Sequence, residues 1–340
     1  MDIKKYSFSQ KSTSYYFHAA FSALETLVDR SHAVIITDEN IFSLHKKKFR
    51  DWNTIVLPAG ESFKVQATID DIIRQLISLN ADRKSFIIGI GGGVVTDLSG
   101  YAASVYMRGI NFGFVPVSLL AMVDASIGGK NGIDVGMYKN LVGSIRQPHF
   151  LLYDISFLKT LPAQEWINGF AEIIKHACIK DARLFRELEQ HSLAFYKKNP
   201  EETALLIKKN AILKSNVVKA DEFEQGDRKL LNFGHTWGHA VETTLSIPHG
   251  HAVAIGMVMA CRLSEKLTGF KHTARVIALL EKYGLPTQAS VDKKEIFKVL
   301  KMDKKKDKAT MHYVLLNTIG KAVIKIIPLD ELQNLINNEG

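Results

Sequence analysis

His235 and His239 stand four residues apart in LLNFGHTWGHAVE, so a helix there turns both imidazoles to one side. His249 and His251 follow a turn after Pro248, which makes four histidines in 17 residues. Glu172 lies in the apolar stretch GFAEIIKHA with Lys175 on the same helical face, a charged residue where a core position would be expected. One carboxylate and two imidazoles suit Zn²⁺ and leave coordination open for a substrate oxygen. No H-E-x-x-H is present, so a metalloprotease has no support. Any single histidine also reads as an ordinary core or surface imidazole, and His176, His191 and His312 are read that way.

Gly89, Gly91, Gly92 and Gly93 sit between an apolar strand-like run and a helix-like one, with Asp97 one turn in. Glycine lets a backbone approach a phosphate closely, and a helix start offers N–H groups to an anion. A dinucleotide pyrophosphate fits; so does a plain tight turn, because the run is not G-x-G-x-x-G. Gly128 and Gly129 precede Lys130, either a loop that lets the lysine reach a phosphate or an ordinary turn. Lys139, Lys175, Lys214, Arg228 and Lys304 to Lys306 are further cations; Lys175 stands out because its helix is otherwise apolar.

The elements that must hold these residues change character midway. Strand-like runs at 33–38, 54–57, 85–90 and 112–117 alternate with helical spacing at 65–79 and 94–107, which predicts a parallel sheet with helices on its faces. After Pro162 the pattern is helical at about 164–180, 182–196, 201–219, 229–245, 251–268, 272–283 and 293–301, with strand signals only at 313–316 and 323–327. The boundary falls near 155–162, dividing an α/β domain, 1–160, from a mainly α-helical domain, 161–340.

With 340 residues, 46% of them apolar and 23% charged, the chain can bury a large core. The balance of 44 Lys+Arg over 35 Asp+Glu attracts anions, but no recognition helix, zinc finger or RNP-like motif points to nucleic acid. No stretch is apolar enough to span a membrane, and residues 1–10 lack an apolar signal core, so neither a membrane partner nor secretion is expected. Cys178 and Cys261 cannot build a disulfide framework, and a cytoplasmic protein is expected.

Taken together, GGGVVTDLSGYAASVYMRG, LLAMVDASIGGK, YKNLVGSIRQP, LKTLP, GFAEIIK, LLNFGHTWGHAVE, HGHAVAIGM and MDKKK resemble the 3-dehydroquinate synthase family, in the family's order and across residues 34–325. The resemblance implies an N-terminal Rossmann-like NAD-binding domain and a helical C-terminal domain that binds Zn²⁺ or Co²⁺. By matching position it implies metal ligation by Glu172, His235 and His249. It implies NAD contacts at Asp38, Asn40, Glu61, Lys64, Gly92, Gly93, Val94, Val95, Thr96, Asp97, Val117, Ser118, Lys130, Lys139, Phe157, Leu158, Lys159 and Thr160. Substrate contacts are implied at Asp124, Lys130, Asn140, Lys175, Lys214, Arg228, Asn232, His239, Lys304 and Lys305, with Arg108 reaching the phosphate across a homodimer interface.

The chain departs from the family pattern at four places. Val117 and Ser118 stand where Thr-Thr is usual, Tyr138 replaces a glycine before Lys139, Asn131 replaces a threonine after Lys130, and His251 replaces the glutamate of His-Gly-Glu. The last change sets a second imidazole beside a ligand; the following AVAIGM fixes the register in favour of His249.

The implied substrate is a phosphorylated keto acid, 3-deoxy-D-arabino-heptulosonate 7-phosphate, and the products are 3-dehydroquinate and phosphate. NAD⁺ would oxidise the C5 hydroxyl, phosphate would leave by β-elimination, the NADH would reduce C5 again, and an aldol closure would finish the ring. Such an enzyme is a lyase of the shikimate pathway, which feeds aromatic amino acid biosynthesis. The rival readings are another sugar phosphate cyclase, a metal-dependent polyol dehydrogenase, and a basic nucleic-acid-binding protein.

Overall fold

A computed structural model of the chain describes residues 1–136, 138–302 and 309–337. Lys304 and Lys305, expected at the substrate, lie outside the described residues. The chain forms two compact units: 1–162 with 204–223, and 163–203 with 224–340. The segment 204–223 therefore belongs to the first unit although it follows residues of the second.

The first unit is built on a seven-stranded sheet ordered β1-β2-β9-β6-β5-β3-β4. Its central members are β3 (Ala33–Asp38), β5 (Phe86–Gly91) and β6 (Asn111–Pro116), with β4 (Asn53–Leu57) at one edge and β9 (Phe150–Leu152) beyond β6. All these pair in parallel. Both faces of the central strands are covered, so their sequences run apolar without alternation, as in AVII and FIIGI. The strands at 33–38, 54–57, 85–90 and 112–117 are found within a residue or two of expectation.

The helices of this unit are α1 (Leu24–Leu27), α2 (Glu39–Leu44), α3 (Lys46–Phe49), α4 (Gln66–Ser78) and α5 (Gly93–Val105), together with residues 204–220 of a long helix that begins in the second unit. Ile69, Ile72 and Leu76 form the buried stripe of α4.

Sequence patterning missed five strands. β1 (Asp2–Ser7) and β2 (Ser12–Phe17) form an antiparallel hairpin on the sheet's other edge, and β2 joins β9 in parallel. Their alternation is masked because a polar residue, Thr13, takes a buried position while Ile3 and Tyr16 take outward ones. β7 (Lys130–Val135) and β8 (Tyr138–Ile145) form a separate two-stranded ribbon in which β8 is almost wholly exposed, so no buried face marks it in the sequence.

The second unit is helical: α6 (Ala163–Lys180), α7 (Ala182–Gln190), α8 (Leu193–Lys198), the start of α9 (Pro200–Ala220), α10 (His235–Leu245), α11 (His249–Thr268), α12 (Thr273–Lys282), α13 (Lys293–Met302) and α14 (Leu329–Asn337). One antiparallel ribbon, β10 (Thr310–Thr318) with β11 (Lys321–Pro328), accompanies them. Two stretches read as single helices are broken. At 182–196, Ser192 restarts the chain as the cap of α8, accepting from the Phe195 N–H. At 229–245, a 3₁₀ turn (Asp227–Asn232) ends before Gly234, whose φ of +80° opens α10. Helix α11 begins at His249 with Pro248 as its cap, so His249 and His251 occupy its first turn.

Glycines set how closely α10 and α11 pack. A Cβ placed on Gly256 would stand 1.8 Å from the Gly234 carbonyl oxygen, and one on Gly250 would stand 2.6 Å from Cα of Asn168 in α6. Backbone meets backbone at both crossings. Gly256→Ala must push α10 from α11. By the cost of overfilling a packed core it is expected to lose about 1–3 kcal/mol, read as a lower melting temperature. An unchanged melting temperature would show that the contact is not needed.

Candidate metal centre

Three helices of the second unit deliver one donor each. Glu172 comes from the middle of α6 and is fully buried. His235 is the first residue of α10 and His249 the first of α11. Both imidazoles turn Nε2 toward the same Glu172 oxygen, Oε1, at 3.5 Å from His235 and 3.4 Å from His249. The three donor atoms lie within 4.8 Å of one another. Each ring is also held from behind. Nδ1–H of His235 donates to the Phe233 carbonyl at 3.2 Å, and Nδ1–H of His249 donates to Glu242 Oε2 at 3.2 Å. Carbonyl and carboxylate oxygens only accept, so Nδ1 carries a proton in both rings, and each Nε2 becomes a free donor atom when a cation takes the place between it and Glu172.

The electrostatics differ between the two rings. Burial, with the Lys175 ammonium nearby, holds the His235 imidazolium well below the ordinary histidine range. At His249 burial pulls the same way, but the hydrogen bonds and charges of Glu172 and Glu242 outweigh it and raise the group to about 9. Lys175 is buried and ion-paired with Glu172 one turn away on α6. His239 follows His235 by one turn, with ring centroids 5.1 Å apart. Two imidazoles and a carboxylate, each offering one atom to a common point, fit a divalent cation of the zinc type.

His251 is not part of this group. Its ring is partnered by the Gln164 amide at 2.7 Å. Arg228 is 2% exposed within the 3₁₀ turn of the same unit, and Asn232 at its end donates to Glu224 Oε1 at 2.8 Å.

Most of the residues expected at NAD lie in the first unit after the ends of the parallel strands, while Lys130 and Lys139 lie on the separate β7–β8 ribbon. Gly92 caps α5, and a Cβ there would meet only Ser118 Oγ at 3.5 Å, so the protein's own packing does not demand a glycine at that point. Val95, Thr96, Val117, Phe157 and Leu158 have buried side chains, which leaves their backbones as what they can offer. The Asp38 carboxylate accepts from the Ile41 N–H at 2.9 Å and caps α2. Thr160 is hydrogen-bonded to His45 at 2.9 Å, a neighbour with no signal in the sequence.

Lys64 is 4% exposed and makes a 2.6 Å ion pair with Asp97. It also donates to Asn140 Oδ1 at 2.5 Å, and Glu61 and Lys139 lie 3.9 Å apart beside it on the same unit. Lys214 pairs with Asp124 at 2.8 Å. Lys130, Asn140 and Lys139 stand on the β7–β8 ribbon, and Arg108 follows α5 at φ +65°.

Sequence reading missed Glu242 and the Lys64–Asp97 pair. The signal for Glu242 was present, since it lies seven residues after His235 and three after His239, on their face of α10.

Residues 54–168 match the family description "3-dehydroquinate synthase N-terminal" and residues 169–306 match "3-dehydroquinate synthase C-terminal". The 3-dehydroquinate synthase of Thermoanaerobacter pseudethanolicus is 35% identical, over 99% of this chain and all of that one. A 2-epi-5-epi-valiolone synthase from Streptomyces hygroscopicus, solved with NAD⁺ and Zn²⁺, is 27% identical with TM-score 0.87, covering 99% of this chain and 96% of that one. A 2-deoxy-scyllo-inosose synthase solved with carbaglucose-6-phosphate, NAD⁺ and Co²⁺ is 24% identical with TM-score 0.86, covering 98% and 99%, and shares the fold.

Burial holds the Asp97 carboxyl above its usual range, with the Lys64 charge opposing. Lys64→Met leaves that carboxylate without its ammonium, a change expected to cost about 3–5 kcal/mol near neutral pH. A raised carboxyl loses stability as pH rises through its folded value, and the variant raises it further. The deficit against wild type should therefore grow from acid to neutral pH in denaturation curves. A deficit independent of pH would contradict the assignment to this pair.

Proposed function

The chain belongs to the 3-dehydroquinate synthase family, and from that premise we propose how its residues carry out the family's conversion of 3-deoxy-D-arabino-heptulosonate 7-phosphate to 3-dehydroquinate and phosphate. The observation that carries the proposal is the convergence of two Nε2 atoms on one buried Glu172 oxygen. When bound, NAD supplies reversible hydride transfer and a divalent metal supplies Lewis acidity toward a substrate oxygen.

The protein's part is binding, charge and proton placement. Glu172, His235 and His249 hold the metal. Lys175, buried beside Glu172, sets a fixed positive charge where a substrate oxygen becomes anionic. His239, next to His235, is placed to hold a proton. Arg228 takes the substrate carboxylate, because its planar fork bonds both oxygens at once. The N-terminus of α5 at Gly92 and Gly93 takes the NAD pyrophosphate, and the Lys64–Asp97 pair fixes the adjoining loop. Lys130, Asn140, Lys214 and Asp124 are assigned to the substrate, and Asp38, Asn40, Glu61, Lys139, Ser118 and Thr160 to the cofactor. Phosphate leaves by elimination, which makes the enzyme a lyase. The two buried free thiols suit the cytoplasm. No helix among the described residues is long and apolar enough to cross a membrane.

A homodimer is part of the same proposal. β8 has an outer edge with no partner strand among the described residues, and it exposes Tyr138, Leu141, Val142 and Ile145, Leu141 by 59%. A second copy covers such an apolar edge and brings Arg108 to the neighbouring site. Leu141→Lys is expected to shift the mass in solution to the monomer, measured by light scattering. A wild-type monomer would end this part of the reading.

The deciding assay is purified protein with NAD⁺ and the heptulosonate phosphate. Phosphate and dehydroquinate should form together with no net NADH. Net NADH would indicate a dehydrogenase, and faster turnover of a carboxylate-free sugar phosphate would indicate another cyclase. Arg228→Leu should cost about 2–5 kcal/mol in kcat/KM for the carboxylate substrate and far less for sedoheptulose 7-phosphate. An equal loss with both would contradict the role given to Arg228.

A further inference from the structure

The two imidazoles directed at Glu172 are alike on the inner side and different on the outer side. His235 is anchored by the Phe233 carbonyl, two residues back in its own chain, a contact that the backbone fixes once Gly234 has turned. His249 has no such local anchor. Its Nδ1 reaches instead to a side chain on another helix, Glu242, which sits near the end of α10 and is 6% exposed.

We propose that Glu242 is a positioning residue for His249. Its carboxylate accepts the Nδ1–H, fixes that tautomer and the ring plane, and leaves Nε2 aimed at the metal. This rests on the metal-centre reading above and deepens it.

The physical argument has three steps. A neutral imidazole carries one proton and can place it on either nitrogen, and only the Nδ1–H form presents a free Nε2. A carboxylate at Nδ1 selects that form and makes Nε2 a better donor, as outer carboxylates do for ligating histidines in general. Burying a carboxylate is costly, so its place behind an imidazole needs a return, and the return is an oriented ligand. Glu242 does not itself share an ion with Glu172. The two carboxylates contact opposite nitrogens of one ring, whose outward directions diverge. The positions on α10 support this division, because His235, His239 and Glu242 fall on one face, and Glu242 lies a full two turns from the ligand.

The test uses the full chain, stripped of metal by chelator and titrated with Zn²⁺ against a chromophoric competitor. The variants are Glu242→Ala, Glu242→Gln and, as reference, Glu172→Gln. Glu242→Ala should weaken Zn²⁺ affinity about ten- to hundredfold, the range for lost outer-shell partners. Glu242→Gln should lose less, because the amide oxygen still accepts from Nδ1 while the charge is gone. Co²⁺-loaded Glu242→Gln should keep the wild-type visible spectrum, since no ligand has been removed. Glu242→Gln is close in shape to the native residue, so it decides the matter if Glu242→Ala fails to fold.

Unchanged affinity in Glu242→Gln and Glu242→Ala overturns the proposal. So does a changed Co²⁺ spectrum in Glu242→Gln, which would make Glu242 a ligand. A wild-type chain that binds no Zn²⁺, or a Glu172→Gln variant that binds it as tightly, instead removes the metal-centre reading beneath it.

Discussion

The second unit depends on how closely helices can approach. A carboxylate on α6 and imidazoles at the starts of α10 and α11 share a point only if three backbones come nearer than ordinary side chains allow. Gly234 and Gly238 on α10 face Val253, Gly256 and Met257 on α11, and Gly250 faces Asn168 on α6. These positions are one helical turn apart, as are His235 and His239 beside them. The same period thus gives the bare face that packs and the imidazole face that binds. A methyl group at Gly256 changes both at once, because the interior cannot deform freely around it.

That spacing explains why the second unit was legible in part. The four histidines, Glu172 and Lys175 announced themselves as polar groups on apolar helices, and the helices carrying them lie close to where periodicity placed them. What the pattern could not show was the break at Gly234, because a left-handed residue inside a helical run leaves the apolar spacing on either side intact. Without the break, His235 would lie within a longer helix and lose its anchor on the Phe233 carbonyl. Glu242 was passed over for a related reason. An acidic residue near a helix end reads as solvated surface until the helix that covers it is known.

In the first unit the contrast runs between buried and exposed strands. β3, β5 and β6 are covered on both faces, and their apolar runs fixed them from sequence alone. β8 carries Lys139 and Asn140 yet has no covered face, so neither alternation nor an apolar run revealed it. The residues expected to bear chemistry there were marked by the family resemblance, and the ribbon that presents them was not. The Lys64–Asp97 pair joins the loop before α4 to the first turn of α5, and Asn140 on the ribbon completes it. Its members were each picked out singly, whereas their pairing needed three segments that are distant in sequence.

Charge ties the metal-centre reading together. Glu172 and Glu242 flank His249 from two sides, and Lys175 lies against Glu172. With both carboxylates ionised, the ammonium in place and His235 held neutral by burial, the two acids outweigh the one lysine by a single charge once His249 is neutral too. A dry site with that balance favours cations, and a divalent one reverses the sign to a net positive charge of the same size. A positive, water-poor site then favours a substrate oxygen as it becomes anionic more than it favours the neutral hydroxyl it started from. That difference between the two states is what lowers a barrier. On the proposed reading, Lys175 is therefore more than a counter-ion to Glu172. Removing it would leave the same ligands but shift the balance back by one charge, so metal would be held more tightly and the developing oxyanion less well.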